Sequence, residues 1–232
     1  MTQLEVDIWS DVMCPWCAVG YAQFAKAMEM IADDVNVTIS WMPFELDPGA
    51  PPEGSKALEH FAEKYGYSLE EAAAKRDEVE ARAEAAGFPI AYAGEGEPPE
   101  AMRWNTFDAH KLLRWALAWK GPDVQTALKL ALFEAHFRER RNISDPEVLA
   151  EIAGNVPELW AEGAAEALAD ETLSMAVRFD AERGRKSGIT AVPSFVVANK
   201  YVLQGAQDAE TFAKALRDIA GMEEAASDQS ET

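Results

Sequence analysis

Residues 14–17 read Cys14-Pro15-Trp16-Cys17, and shortly before them the chain runs Leu4-Glu5-Val6-Asp7-Ile8. Leu4, Val6 and Ile8 alternate with Glu5 and Asp7, which is the two-residue period of a strand. After the cysteines, Cys17, Tyr21, Phe24, Met28 and Ile31 recur at steps of three and four, so this segment reads as a helix with Cys17 on its apolar face. Val35, Val37, Ile39 and Trp41 then resume the alternation. The opening is therefore strand, helix, strand, and the two cysteines fall where the first strand hands over to the helix.

That position gives the cysteines their chemistry. Pro15 suits a first helical turn, because the N–H it lacks would be unpaired there anyway. Cys14 then stands at the helix cap, where free amide dipoles favour a thiolate, and it is the expected nucleophile with a pKa below that of an ordinary cysteine. Cys17, one turn on and shielded from solvent, is the expected resolving thiol. Cys14 would attack a substrate disulfide, and Cys17 would displace the substrate thiol from the mixed disulfide. A zinc half-site needs two further ligands; there is no other cysteine, and His60, His110 and His136 lack pairwise metal spacing, so no metal site is expected. A structural disulfide here would close too short a loop to stabilise much.

Beyond Trp41 the texture changes. Pro43, Pro48, Gly49, Pro51, Pro52 and Gly54 cluster, and the chain after Gly54 reads as helical. Ser68 with Glu71 forms a capping-box pattern for a helix that Gly87 and Pro89 stop. Residues 93–99 read as a loop. Val124, Ala127, Leu128, Ala131, Leu132 and Ala135 give the cleanest helical stripe, Trp115 and Trp119 share a helix face as core or cleft wall, and Asp145-Pro146 reads as a cap with proline at the first helical position. Strand character returns at 195–198 and 201–203, with Asn199 and Lys200 as a tight turn. A last helix starts near Asp208 and buries Phe212, Leu216 and Ile219; the polar residues 223–232 are expected to be a disordered tail. The order implies an α/β fold in which residues 1–48 and 171–222 form one discontinuous domain and residues 49–170 an all-helical insertion.

With 41 acidic against 21 basic side chains, the net charge is -20, which repels nucleic-acid phosphates and anionic membrane surfaces. Neither nucleic acid nor membrane is an expected partner; protein or small-molecule thiols and disulfides are. The first residues carry no basic-then-apolar leader, and no apolar run has bilayer length, so the expectation is a cytoplasmic protein. In that reducing compartment two lone cysteines are better explained by catalysis than by a structural bridge.

A second signal lies at Gly188-Ile189-Thr190-Ala191-Val192-Pro193-Ser194-Phe195, where an X-Pro bond just before a strand is a candidate for the cis form. Taken with Cys14-Pro15-Trp16-Cys17, it resembles the thioredoxin-fold proteins of the DsbA family across nearly the whole chain. Arg103-Trp104-Asn105-Thr106-Phe107-Asp108-Ala109-His110 and Gly205-Ala206-Gln207 resemble the FrnE-like branch, which is related to 2-hydroxychromene-2-carboxylate isomerases and kappa-class glutathione transferases. The resemblance implies a thioredoxin fold with a helical insertion, Val192-Pro193 cis and packed against the cysteine pair, and substrate backbone pairing alongside Val192. It also makes Asn105 and His110 candidate cleft residues, against the plainer reading of a helix cap and a polar helix face. Two departures matter: the isomerase and transferase relatives carry serine in place of Cys14, and the second cysteine pair of some FrnE-like proteins is absent. The expected activity is thiol-disulfide oxidoreduction, extending to disulfide isomerisation, with a redox-active disulfide and no bound cofactor. The alternative is a glutathione-dependent isomerase or transferase, so glutathione is a candidate reductant or co-substrate.

Overall fold

Strand β1 (Thr2–Ser10) is followed by a short bend and then helix α1 (Pro15–Ile31), and the chain returns as β2 (Val35–Pro43), parallel to β1 from Thr2↔Val35 to Ser10↔Pro43. The computed structural model describes residues 1–51 and 53–230. The sheet is completed from the far end of the chain by β5 (Ser194–Val197), antiparallel to β1, and β6 (Tyr201–Gln204), antiparallel to β5. Among the described residues the order is β2-β1-β5-β6. β1 lies inside this sheet, so Leu4, Val6 and Ile8 are almost wholly buried.

Between β2 and β5 come α2 (Ala57–Tyr65), α3 (Leu69–Ala86), α4 (Phe107–Lys120), α5 (Pro122–Phe133), α6 (Pro146–Gly154), α7 (Ala161–Ala169) and α8 (Glu171–Lys186). The local signals act as their chemistry dictates. Ser68 and Glu71 cap α3 reciprocally, and Gly87 ends it in the left-handed conformation at φ 85°. Asp145 accepts from the Glu147 N–H at 2.9 Å ahead of Pro146. The long stripe after Val124 breaks at Glu134–Arg138, one turn of π-helix continuing from α5. Two-residue strands β3 (Ser55–Lys56) and β4 (Met102–Arg103) pair antiparallel within the otherwise helical stretch; they are too short to leave a period in the sequence.

Three expectations are corrected. The β5–β6 turn sits one residue earlier than Asn199-Lys200: Ala198 and Asn199 adopt φ 51° and 55°, and the Lys200 N–H closes on the Val197 carbonyl at 3.0 Å. The polar end does not peel away at 223. Helix α9 (Ala209–Ser230) continues through it, because glutamate and alanine are good helix formers and its side chains find partners. The Tyr201 hydroxyl donates to Glu223 at 3.0 Å, and the Thr2 hydroxyl donates to Glu224; residues 231–232 lie outside the described ones. Finally, Trp119 is 60% exposed rather than core, with its ring edge-on to Trp160 at the surface.

The helical stretch is tied to the open edge of β2 at Trp41, whose indole N–H donates to the Thr126 hydroxyl at 3.0 Å and whose backbone is held by Gln125. Gln125 on α5, fully buried, accepts from the Trp41 backbone N–H at 2.8 Å and donates to the Trp41 carbonyl at 2.9 Å. Its carboxamide thus serves as the next strand at this point, satisfying edge groups that would otherwise be buried without partners. Gln125→Leu keeps the volume and strands both Trp41 groups. The expected loss is about 2–5 kcal/mol of unfolding free energy, read from urea denaturation; a variant as stable as the parent would show the clamp to be dispensable.

Candidate active site around Cys14 and Cys17

Cys14 is the cap residue of α1, in extended conformation at φ -88° and ψ 110°, with Pro15 in the first turn; the Cys17 N–H reaches the Cys14 carbonyl at 3.0 Å. Both cysteines are free thiols and nearly sealed, with Cys14 4% and Cys17 1% exposed. Trp16 between them is turned outward, with the Arg82 guanidinium 5.5 Å from its ring.

The Val192–Pro193 peptide bond is cis. Pro193 comes against α1 one turn beyond Cys17, where Gly20 leaves room for it: a Cβ on Gly20 would stand 2.8 Å from the proline Cγ. Val192 packs against the same core that holds both cysteines. The cysteine pair and the proline loop, far apart in sequence, are thus brought together at the start of α1. Gly20→Ala relieves a glycine inside a helix, worth about 1 kcal/mol, but forces a ring with no flexible end to move, at about 1–3 kcal/mol. We expect a net loss of thermal stability together with slower disulfide exchange; an alanine variant that exchanged at the parental rate would show that this close approach does not matter.

Beneath the thiols lies a set of buried polar groups that sequence periodicity does not pick out. Asp11, with no exposed surface, accepts from the Leu46 N–H at 2.6 Å and the Met13 N–H at 3.3 Å. Burial raises its pKa; the Leu46 hydrogen bond and the Lys129 charge pull it back. Lys129 on α5 is fully buried, its Nζ 5.1 Å from the Trp41 ring centre and 4.8 Å from that of Phe133. Burial lowers its pKa to about 8 against the opposing pull of Cys17, Asp11 and Cys14.

The thiols hydrogen-bond each other and therefore titrate as a pair. Burial disfavours an anion on Cys17, yet the Cys14 thiol, the Lys129 charge and the Ser10 hydroxyl outweigh it and lower the Cys17 pKa. Cys14, the donor in the pair, is held well above the usual thiol range, first by that hydrogen bond and then by burial. In this coupled pair the cation and the hydroxyl bear on Cys17, and burial opposes an anion on either sulfur.

Asn105 and His110 are held by their own neighbours. Asn105 donates to the Pro48 carbonyl at 3.3 Å and accepts from the Phe107 N–H at 3.0 Å, bracing the start of α4. His110 points inward, 2% exposed, with Nε2 donating to the Phe44 carbonyl at 3.2 Å and lying 3.9 Å from Asp11. Burial, followed by the Lys129 charge, lowers its pKa to about 3, so the ring is neutral at physiological pH. An unfolded histidine takes a proton near pH 6.5 and this one does not, so the unfolded chain binds the extra proton below that pH, and stability falls as pH falls. Raised carboxylates such as Asp7 and Glu45 act in the opposite sense and are common to parent and variant. From pH 6 to 4, His110→Asn should therefore lose stability less steeply than the parent by about 1.4 kcal/mol per pH unit. Equal slopes in urea titrations would refute a neutral buried ring.

Groups of three or more metal-ligating side chains with ion-holding geometry are absent among the described residues. Also among the described residues, no helix is long and apolar enough to cross a membrane.

Comparison with known proteins gives a consistent answer. The DSBA-like thioredoxin domain model matches residues 5–217. A probable DsbA oxidoreductase from Streptomyces coelicolor is 37% identical, with a TM-score of 0.81 over 94% of this chain and 90% of its own. The Bacillus subtilis protein YwbO, described as uncharacterised, is 27% identical over 222 residues, covering 93% of this chain and 96% of the relative. A 2-hydroxychromene-2-carboxylate isomerase shares the fold at a TM-score of 0.58 and 12% identity, covering 98% of each chain.

Proposed function

Because this chain belongs to the DSBA-like thioredoxin domain family, we propose that it is a thiol-disulfide oxidoreductase acting through Cys14 and Cys17, on protein or small-molecule disulfides. The observation that carries the reading is the pair of free, buried thiols at the start of α1, with the Pro193 loop packed one turn further along. In this reading residues 1–48 and 171–222 are the thioredoxin-like unit, and residues 49–170 are the insertion that covers it.

The proposed cycle begins with the shared proton. Cys14 passes its proton to Cys17 across their hydrogen bond, and the Cys14 thiolate attacks one sulfur of the substrate disulfide. One S–S bond forms as the substrate S–S bond breaks, and the leaving thiolate takes a proton from solvent. Cys17 then loses its proton and attacks the Cys14 sulfur; the second substrate thiolate departs, leaving Cys14 and Cys17 bridged. The substrate has gained the two electrons that the dithiol lost. In reverse, the same steps donate the disulfide; and where another thiolate of the substrate, rather than Cys17, attacks the substrate sulfur of the mixed disulfide, a new substrate bridge forms, the Cys14 thiolate leaves, and the substrate is isomerised with no net change of oxidation state. Val192, just before Pro193, is the backbone we assign to pairing with the substrate chain. Glutathione fits as a thiol co-substrate that resets the pair in a cytoplasmic setting.

Trapping separates the two cysteine roles. Cys17→Ser exposed to oxidised glutathione should retain a glutathione adduct on residue 14, seen by mass spectrometry of the peptide and released by dithiothreitol. Cys14→Ser should accumulate far less adduct. An adduct confined to Cys17, or a parent protein that never forms its internal disulfide, would overturn the assignment.

A further inference from the structure

The turn after the π-helix carries an arginine with no ion-pair partner among the described residues. The chain leaves Glu134–Arg138 by a reversal in which the Arg141 N–H reaches back to the Ala135 carbonyl at 2.9 Å, and Arg140 stands there at φ 57°. This is the left-handed position that closes a helix, where glycine is favoured because a Cβ is crowded. The sequence puts a long, charged side chain there instead. That side chain makes no hydrogen bond among the described residues either: its Nε is sealed, and its two Nη groups, equally without partners, stay open to solvent. The neighbouring carboxylates are taken. Arg138 Nη1 holds Glu134 at 3.0 Å, Arg141 holds Glu151 at 2.7 Å and Glu139 at 3.6 Å, and Arg76 on α3 holds Asp77 at 2.9 Å and Glu80 at 3.5 Å. Arg138 Nε and His136 Nδ1, in the same turn, are also sealed and unpaired. His136 is 7% exposed, edge-on to the Phe137 ring at 4.6 Å, and burial, followed by the Arg140 charge, lowers its pKa to about 3, so it adds no charge of its own. A buried polar group without a partner costs free energy, and the clustering of such groups over residues 136–140 marks a place where a partner is missing.

We infer that Arg140 is the binding residue for a free oxyanion, the carboxylate or phosphate group of a small molecule, gripped by its two open Nη groups. Both groups share the chemistry the site asks for: two oxygens of one acid match the planar guanidinium fork, and each bond is charge-assisted. Chloride lacks this paired geometry. The left-handed turn and the sealed inner edge of the guanidinium hold the fork in place, so little side-chain freedom is lost when the anion arrives. The site takes no part in the exchange cycle and stands independently of the thiol-disulfide reading.

The test compares the full chain in inorganic phosphate, in succinate and in chloride at equal ionic strength, following the melting temperature and the Nε–Hε resonances of protein isotopically labelled at arginine. At least one of the two oxyanions should raise the melting temperature saturably over chloride, by about 4 °C at tenfold excess over its dissociation constant, and move the Arg140 resonance with the same midpoint. The oxyanion that does so identifies the acidic group of the ligand. Arg140→Lys, which keeps the charge and loses the fork, identifies the resonance by its absence and should bind about tenfold more weakly. Arg140→Gly should lose the response and, in chloride, melt about 3 °C above the parent, because glycine suits the turn. A glycine variant that is less stable than the parent in chloride, or that does not fold, shows an arginine serving the fold and overturns the inference. So does a parent protein that answers phosphate and succinate only as it answers chloride, or a glycine variant that still responds.

Discussion

The Asp11 carboxylate is the point at which the whole site is joined. Sealed from solvent, it accepts the Leu46 N–H on one side and the Met13 N–H on the other. The two bonds pin the bend that leads into α1 to the chain leaving β2, both at the same end of the sheet. The place where α1 begins is thereby fixed, and with it the positions of Cys14 at the cap and Cys17 one turn inside. A carboxylate buried in this way is costly alone, which is why a cation and backbone donors gather near it. The cation comes from α5, so the segment that interrupts the thioredoxin-like halves is also what makes their buried charge tolerable.

Much of this arrangement is legible in the order of residues, and the failures have a common physical cause. The first strand, α1 and β2 carry clean periods because their buried faces are almost purely apolar. The capping box at Ser68 and the Asp145-Pro146 cap are equally readable, since each acts through neighbours within a few residues. Gln125 and Lys129 defeat the same logic. They occupy the inward face of α5 beside Val124, Leu128 and Leu132, and a polar residue there is normally assigned to the solvated side of a helix. Only the tertiary partners, an open strand edge for Gln125 and buried anions for Lys129, explain why they point in. Asp11 escapes notice for the same reason: a single aspartate before a helix looks like ordinary loop chemistry until both its oxygens are seen to be occupied.

The division of charge between the two sulfurs is hidden from the sequence because helix caps are local and the deciding groups are not. A cap argument favours an anion on the first thiol, since amide dipoles point there. It takes no account of a cation supplied from a helix more than a hundred residues away in sequence, or of a hydroxyl at the end of β1. Ser10 and Lys129 bear on Cys17, and the two thiols titrate as one pair. The two views describe one pair with a single anion to place, and in the proposed cycle its location changes from step to step.

Under the proposed exchange cycle, a shared ionisation suits a pair that alternates between two sulfur nucleophiles. If the anion were locked on Cys14, attack on a substrate would be fast, but Cys17 would keep its proton in the mixed disulfide and the complex would linger. If the anion were locked on Cys17 by a solvated ion pair, Cys14 would rarely be free to begin. A buried ammonium over two aromatic rings is screened little by salt, and burial lowers its pKa to about 8. A protein surface with a net charge of -20 offers no such cation at the right depth, so the compensating charge has to be delivered from within.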